Sequence, residues 1–316
     1  MIRVWNIPEA DKDEKYPQTD GKNYCVGIWS DNIAEPYWQL QYHPFADLLL
    51  AIKSDKIIQV WDCKEIKEKV PSYDDKGKVK MSNQDTPMKE YEFKHEGSQS
   101  PPSCCSWLPT DSHLFVVGYK SSLVALFDYN SGKVESSHKF FPGDEEGEVV
   151  CLDANELQPH IMTGHLNGQM NIFDFKQQKV IHTVDCIPDS DEKKEGIYIQ
   201  SIKYFNNCSN IIVGKSNGNI NLYDLSGALL NVIEKAHTQK YDEGVNCLLT
   251  IQNFAGSTKD STTSNMPFFV SGGADGFMKV FEHSQYQVPI PEKPEQQDSK
   301  EVGKAPEKEK KEEPTN

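Results

Sequence analysis

The chain has 316 residues, with 33 basic against 48 acidic side chains and a formal net charge of -15. That balance excludes general binding to phosphate backbones, which needs a basic surface. No apolar run has membrane-spanning length, no signal-peptide core opens the chain, and the eight cysteines contain no CxxC pair, so a cytoplasmic protein with reduced thiols is expected.

In chain order, residues 1–6 read as the end of a repeat, apolar alternation followed by Trp5, and residues 24–29 as its outer strand. A first complete unit runs from 37 to about 93, with strands predicted at 38–42, 48–51 and 57–61 and a charged, turn-rich insertion at 64–89. Further four-strand units are predicted at 103–140, 149–184 and 199–233, and a three-strand set at 245–281. An acidic loop is expected at 189–195 and a polar loop at 257–265, and 284–316 is too rich in Pro, Glu, Lys and Gln to bury a core and is expected to be disordered.

The units share one frame. Asp55 leads six residues later to Trp61, Ser121 to Phe127, Asn167 to Phe173, Asn217 to Tyr223 and Asp275 to Phe281, and each ring is followed by Asp62, Asp128, Asp174, Asp224 or Glu282. A strand-built repeat of about 40 to 60 residues predicts an all-β fold, a WD-repeat β-propeller filling residues 1–283. Two strands, four sets of four and a set of three make about five blades' worth, which predicts part of a seven-bladed ring whose N-terminal part is missing, with a smaller ring closed by the leftover strands as the alternative. Cys104, Cys151 and Cys247 fall at matching inner-strand places as small apolar fillers.

In such repeats a turn Asp on the top face bonds a loop His, and a Ser and a Trp indole extend the network. His237, Ser271 and Asp275 supply the best set, Asp55 and Trp61 a partial one, and Asn167 and Asn217 offer an amide in place of the carboxylate. Their repeat position makes them structural. The remaining histidines have no metal spacing, and P-loop, GxSxG and GxGxxG motifs are absent, so no catalytic, cofactor-binding or metal site is expected. Tyr37, Trp38 and Tyr241 stand at predicted entries to inner strands, where exposed rings would anchor a protein partner; for Trp38, packing between blades is the alternative.

Two stretches carry a more specific likeness. The run Glu234-Lys235-Ala236-His237-Thr238-Gln239-Lys240-Tyr241-Asp242-Glu243 and the run from Ser271 through Gly-Gly-Ala-Asp-Gly-Phe-Met-Lys-Val to Phe281 resemble the closing part of the striatin-family propeller, and Met162 to His182 fits a middle blade. The resemblance implies a non-enzymatic scaffold within a phosphatase–kinase signalling assembly. The family's coiled-coil and calmodulin-binding segments have no counterpart here, so neither phosphatase nor calmodulin binding is expected of this chain. An unrelated WD-repeat adaptor, such as a ligase substrate receptor or trafficking subunit, is the alternative, with a propeller enzyme behind it.

Overall fold

The computed structural model describes residues 2–5, 25–29, 37–53, 57–63, 90–95, 100–141, 147–251 and 267–282. A two-stranded sheet, β1 (Ile2–Trp5) and β2 (Cys25–Trp29), opens the chain. The first blade is β3 (Tyr37–Tyr42), β4 (Leu48–Lys53), β5 (Ile58–Asp62) and β6 (Glu90–Phe93). The second is β7 (Pro102–Trp107), β8 (Leu114–Tyr119), β9 (Leu123–Asp128) and β10 (Lys133–Lys139). The third is β11 (Val149–Ala154), β12 (His160–His165), β13 (Gln169–Asp174) and β14 (Lys179–Asp185). After the short helix α1 (Ser190–Lys194) come the fourth blade, β15 (Ile199–Phe205), β16 (Asn210–Lys215), β17 (Ile220–Asp224) and β18 (Leu229–Ile233), and the three-stranded fifth, β19 (Val245–Ile251), β20 (Phe268–Gly273) and β21 (Met278–Glu282).

Each blade is an antiparallel meander, and the innermost strands β3, β7, β11, β15 and β19 lie side by side in that order. The fold is therefore all-β with a five-bladed propeller arrangement; the described residues do not display a seven-bladed ring. The insertion at 64–89, the loop at 257–265 and the tail at 284–316 lie outside the described residues.

Burial explains the sequence pattern. In the first four blades the second and third strands are covered on both faces, so LFVVGY and IIVG read as continuous apolar runs, whereas the outer strand β10 alternates along its length. The ring that closes each third strand is buried in all five blades (Trp61, Phe127, Phe173, Tyr223, Phe281). The acid after it caps a turn: Asp128, Asp174 and Asp224 accept backbone N–H groups from Asn130, Lys176 and Ala228. The shared frame is thus half core and half turn chemistry.

Adjacent blades meet through one repeated interface. Leu50, Ile58 and Val60 of the first blade pack against Cys105 and Trp107 of the second, and Val116, Val124 and Leu126 against Leu152 of the third. Met162, Met170 and Ile172 then meet Ile202, and Ile212, Ile220 and Leu222 meet Leu248. Inner strands are also tied by side chains reaching the next backbone. The Gln39 and Gln41 amides accept from Cys105 and Trp107 N–H, and the Ser201 hydroxyl donates to the Val245 carbonyl at 2.9 Å.

Two expectations are corrected. Residues 189–195 are not a plain loop, because Asp189 caps α1 through the Asp191 N–H, with acidic residues in the first turn and basic ones in the last. Cys247 is exposed, unlike buried Cys104, because among the described residues no further blade covers that face of the fifth. The expected equivalence of the cysteines does hold in register: Cys104, Cys151 and Cys247 pair with Gly118, Gly164 and Gly272. A Cβ on Gly164 would stand 2.7 Å from the Cys151 sulfur and 2.9 Å from Ile199. Gly164→Ala is expected to cost about 1–3 kcal/mol in chemical denaturation, with part of the loss recovered in the Gly164→Ala, Cys151→Ala double variant.

Candidate functional site

The loops at one end of the blades are held by buried polar clamps at the point where the second strand ends. In the fifth blade His237, from the loop between β18 and β19, is fully buried. Its Nδ1–H donates to Asp275 Oδ1 at 3.0 Å, and its Nε2 accepts from the Ser271 hydroxyl at 2.7 Å. Asp275 also accepts from the Thr238 and Phe277 backbone N–H groups at 3.0 Å each. Desolvation works against ionisation of Asp275, but the bonds from Phe277, Thr238 and His237 outweigh it and hold the carboxyl at about 2. The imidazole fits only because residue 273 is glycine, since a Cβ there would lie 2.1 Å from Nδ1. The three residues expected from the repeat pattern therefore do meet, and their bonds fasten one loop to one hairpin.

The third blade builds its clamp from another position. His165 stands at the place of Gly273, each pairing with the first residue of its inner strand, Val149 or Val245. Its Nε2 accepts from Thr163, the counterpart of Ser271, at 2.9 Å, and its Nδ1–H donates to the Gly147 carbonyl at 2.9 Å. Burial pushes its pKa down to about 4, only partly offset by the Gly147 bond. In the fourth blade the same position is Lys215, whose buried ammonium meets both carboxylate oxygens of Glu192 on α1 at 2.8 and 2.9 Å.

Sequence reasoning missed both, having set His165 aside for want of metal spacing. The parallel of Thr163-Gly164-His165 with Ser271-Gly272-Gly273 was the available signal. Asn167 and Asn217 do not act as substitutes for the Asp275 carboxylate toward a loop His; they accept from Gln169 and Asn219 within their own hairpins, and Asn217 donates to Glu192.

The aromatic residues take different places. Tyr241 is 85% exposed at the tip of a tight turn closed by paired backbone bonds between Lys240 and Glu243. Tyr241 and Asp242 both have positive φ, 54° and 61°, and the Tyr198 hydroxyl donates to the Asp242 carbonyl. Trp38 is 57% exposed with the Lys120 ammonium over its ring, while Tyr37 is half-buried and packs edge-on to Trp61 at 5.5 Å. Strand alternation, which begins at Tyr37, turns that ring inward and Trp38 outward, the reverse of the order expected. Tyr37 and Trp38 open the first blade and Tyr241 precedes the fifth. Trp61 is buried, and Asp55 lies outside the described residues.

Burial lifts the Cys104 and Cys186 thiols to about 12, which leaves them un-ionised and inert. Among the described residues no group of three or more His, Cys, Asp or Glu side chains could hold a metal ion.

Two measurements check the clamps. The unfolded imidazole takes up a proton near pH 6.5 and His165 only near 4, so acidification through that window favours the unfolded chain by up to about 3 kcal/mol. His165→Gln is expected to flatten the fall in melting temperature between pH 6.5 and 4. Asp275→Ala strands the bonding groups of His237, Thr238 and Phe277 and is expected to lower the melting temperature at neutral pH.

Comparison with known proteins bears on three of the expectations. A family model described as nucleolar protein 10-like, N-terminal domain, a β-propeller, matches residues 101–253, a little under half of the chain. No curated protein matches it. The striatin resemblance is corrected by this match, and with it the phosphatase–kinase assembly. The motifs that carried the resemblance serve the His237 clamp and its hairpin, which are general blade geometry. The cytoplasmic placement is likewise overturned, because the matching family points to a nucleolar protein. From β7 to β19 the chain is similar to the propeller that opens the nucleolar protein 10-like proteins.

Proposed function

We propose that the chain is a non-enzymatic protein-interaction module that works in the nucleolus. Its similarity to the nucleolar protein 10-like propeller over residues 101–253 supports the compartment. The net charge of -15 favours protein partners over RNA, whose phosphates an acidic surface repels. A rigid propeller rim with individually clamped loops suits display of a binding surface, and function concentrates in such loops.

The observation that carries the reading is Tyr241. A bulky residue held at positive φ and almost fully exposed is a costly arrangement for folding alone. Here the Lys240–Glu243 bonds and Tyr198 fix the backbone of the turn, so the ring is offered to a partner from a loop that is already ordered. Trp38, 57% exposed on β3 at the start of the first blade, is the second exposed ring.

The test is proximity labelling and affinity capture from cells expressing the chain, read beside a nucleolar marker. Wild type is expected to concentrate in nucleoli and retain a defined protein set. Tyr241→Ala is expected to lose that set at least tenfold with an unchanged melting temperature. Diffuse staining, or full retention by Tyr241→Ala, would overturn the reading.

A further inference from the structure

We propose that copies of this chain associate head to tail, the fifth blade of one seating on the first blade of the next. The argument rests on the repeated interface between blades. In each of the first four blades, three apolar positions on the second and third strands are covered by the inner strand of the following blade. Strand register carries those positions into the fifth blade. Gly272 pairs with Met278 as Gly214 pairs with Ile220, and Val270 pairs with Val280 as Ile212 pairs with Leu222.

The counterparts of buried Ile220 and Leu222 are thus Met278 and Val280, which are 76% and 61% exposed, and Val270 beside them is only half-buried. Leu249, facing Val270 on the inner strand, is 57% exposed. The fifth blade therefore presents the outgoing half of a blade interface on which, among the described residues, no inner strand is seated.

The matching half is also on the chain. Leu40 pairs with Ala51 as Cys105 pairs with Val117, Leu152 with Thr163, Ile202 with Val213 and Leu248 with Ser271. Those four partners of Leu40's position fill the outgoing faces of the blades before them and are no more than 6% exposed, whereas Leu40 is 45% exposed. One molecule thus carries both halves of an interface that it uses four times internally, and among the described residues both halves are exposed. An apolar surface of this kind is unfavourable in water. The two halves differ, so joining them is a heterologous contact that propagates or closes into a ring of copies.

The test uses the full chain. Sedimentation of wild type is expected to show mass rising with concentration. Val280→Glu and Leu40→Glu, each placing a charge on an exposed position, are expected to weaken association at least tenfold. Met278→Glu serves as a second outgoing variant should Val280→Glu fail to fold. Mixing Val280→Glu with Leu40→Glu is expected to give a dimer and nothing larger, because only one intact half remains on each. A monomer at every concentration, or a mixture that stays monomeric, overturns the proposal. So does a Leu40→Cys, Val280→Cys variant that cross-links within one chain, since the arc would then close on itself.

Discussion

Everything in this structure leans on the contact by which one blade receives the next. A single sheet cannot bury two faces alone, and here the answer is a row of sheets, each with an outgoing triad of large apolar residues and an incoming inner strand. The demand reaches down to individual side chains. Inner strands crowd together, so Cys104 and Cys151 sit with sulfur where a Cβ would otherwise stand, over Gly118 and Gly164. Larger residues at either place would push the inner strands apart and open the seam that Leu152 and Ile202 fill.

Where the scaffold is uniform, the loops are not. The end of the second strand carries Lys53, Tyr119, His165, Lys215 and Gly273 in successive blades, five residues at one structural position. His165 and His237 place an imidazole against the same Thr or Ser hydroxyl from different points of the chain, and Lys215 reaches a helix instead. Each solution ties a different loop in a different posture, which lets the rim vary while the core repeats. Tyr241 is presented from a loop whose other end is fixed by His237.

The blades were legible because their signals are local. Alternation, a turn residue, a ring six positions later and an acid beyond it occur within one hairpin, and burial of Phe127 or Phe173 follows from them directly. The His237 set was legible for the same reason, as repeat geometry places its members. What stayed hidden needs two blades or a loop at once. Lys215 reads as a surface lysine until Glu192 is brought to it, and Asp189 reads as one acid among several until it caps α1. The exposure of Leu40 and Met278 is invisible in sequence, since both look like ordinary core positions. Family likeness misled where the motifs quoted for it were themselves blade geometry.

The row of like interfaces has a thermodynamic consequence. Among the described residues the extensive contacts between blades are all between neighbours, so stability is distributed as a chain of nearest-neighbour couplings and not held in one central core. Among the described residues the third blade is coupled on both sides, while the fifth is coupled on one and has three strands. Opening is then cheapest at the ends and most costly in the middle, and amide protons of β12 and β13 would be the last to exchange with solvent. The loop bearing Tyr241 sits near the looser end, joined to the firmer part through β15 to β18, so its posture is only as durable as the seam between the fourth and fifth blades.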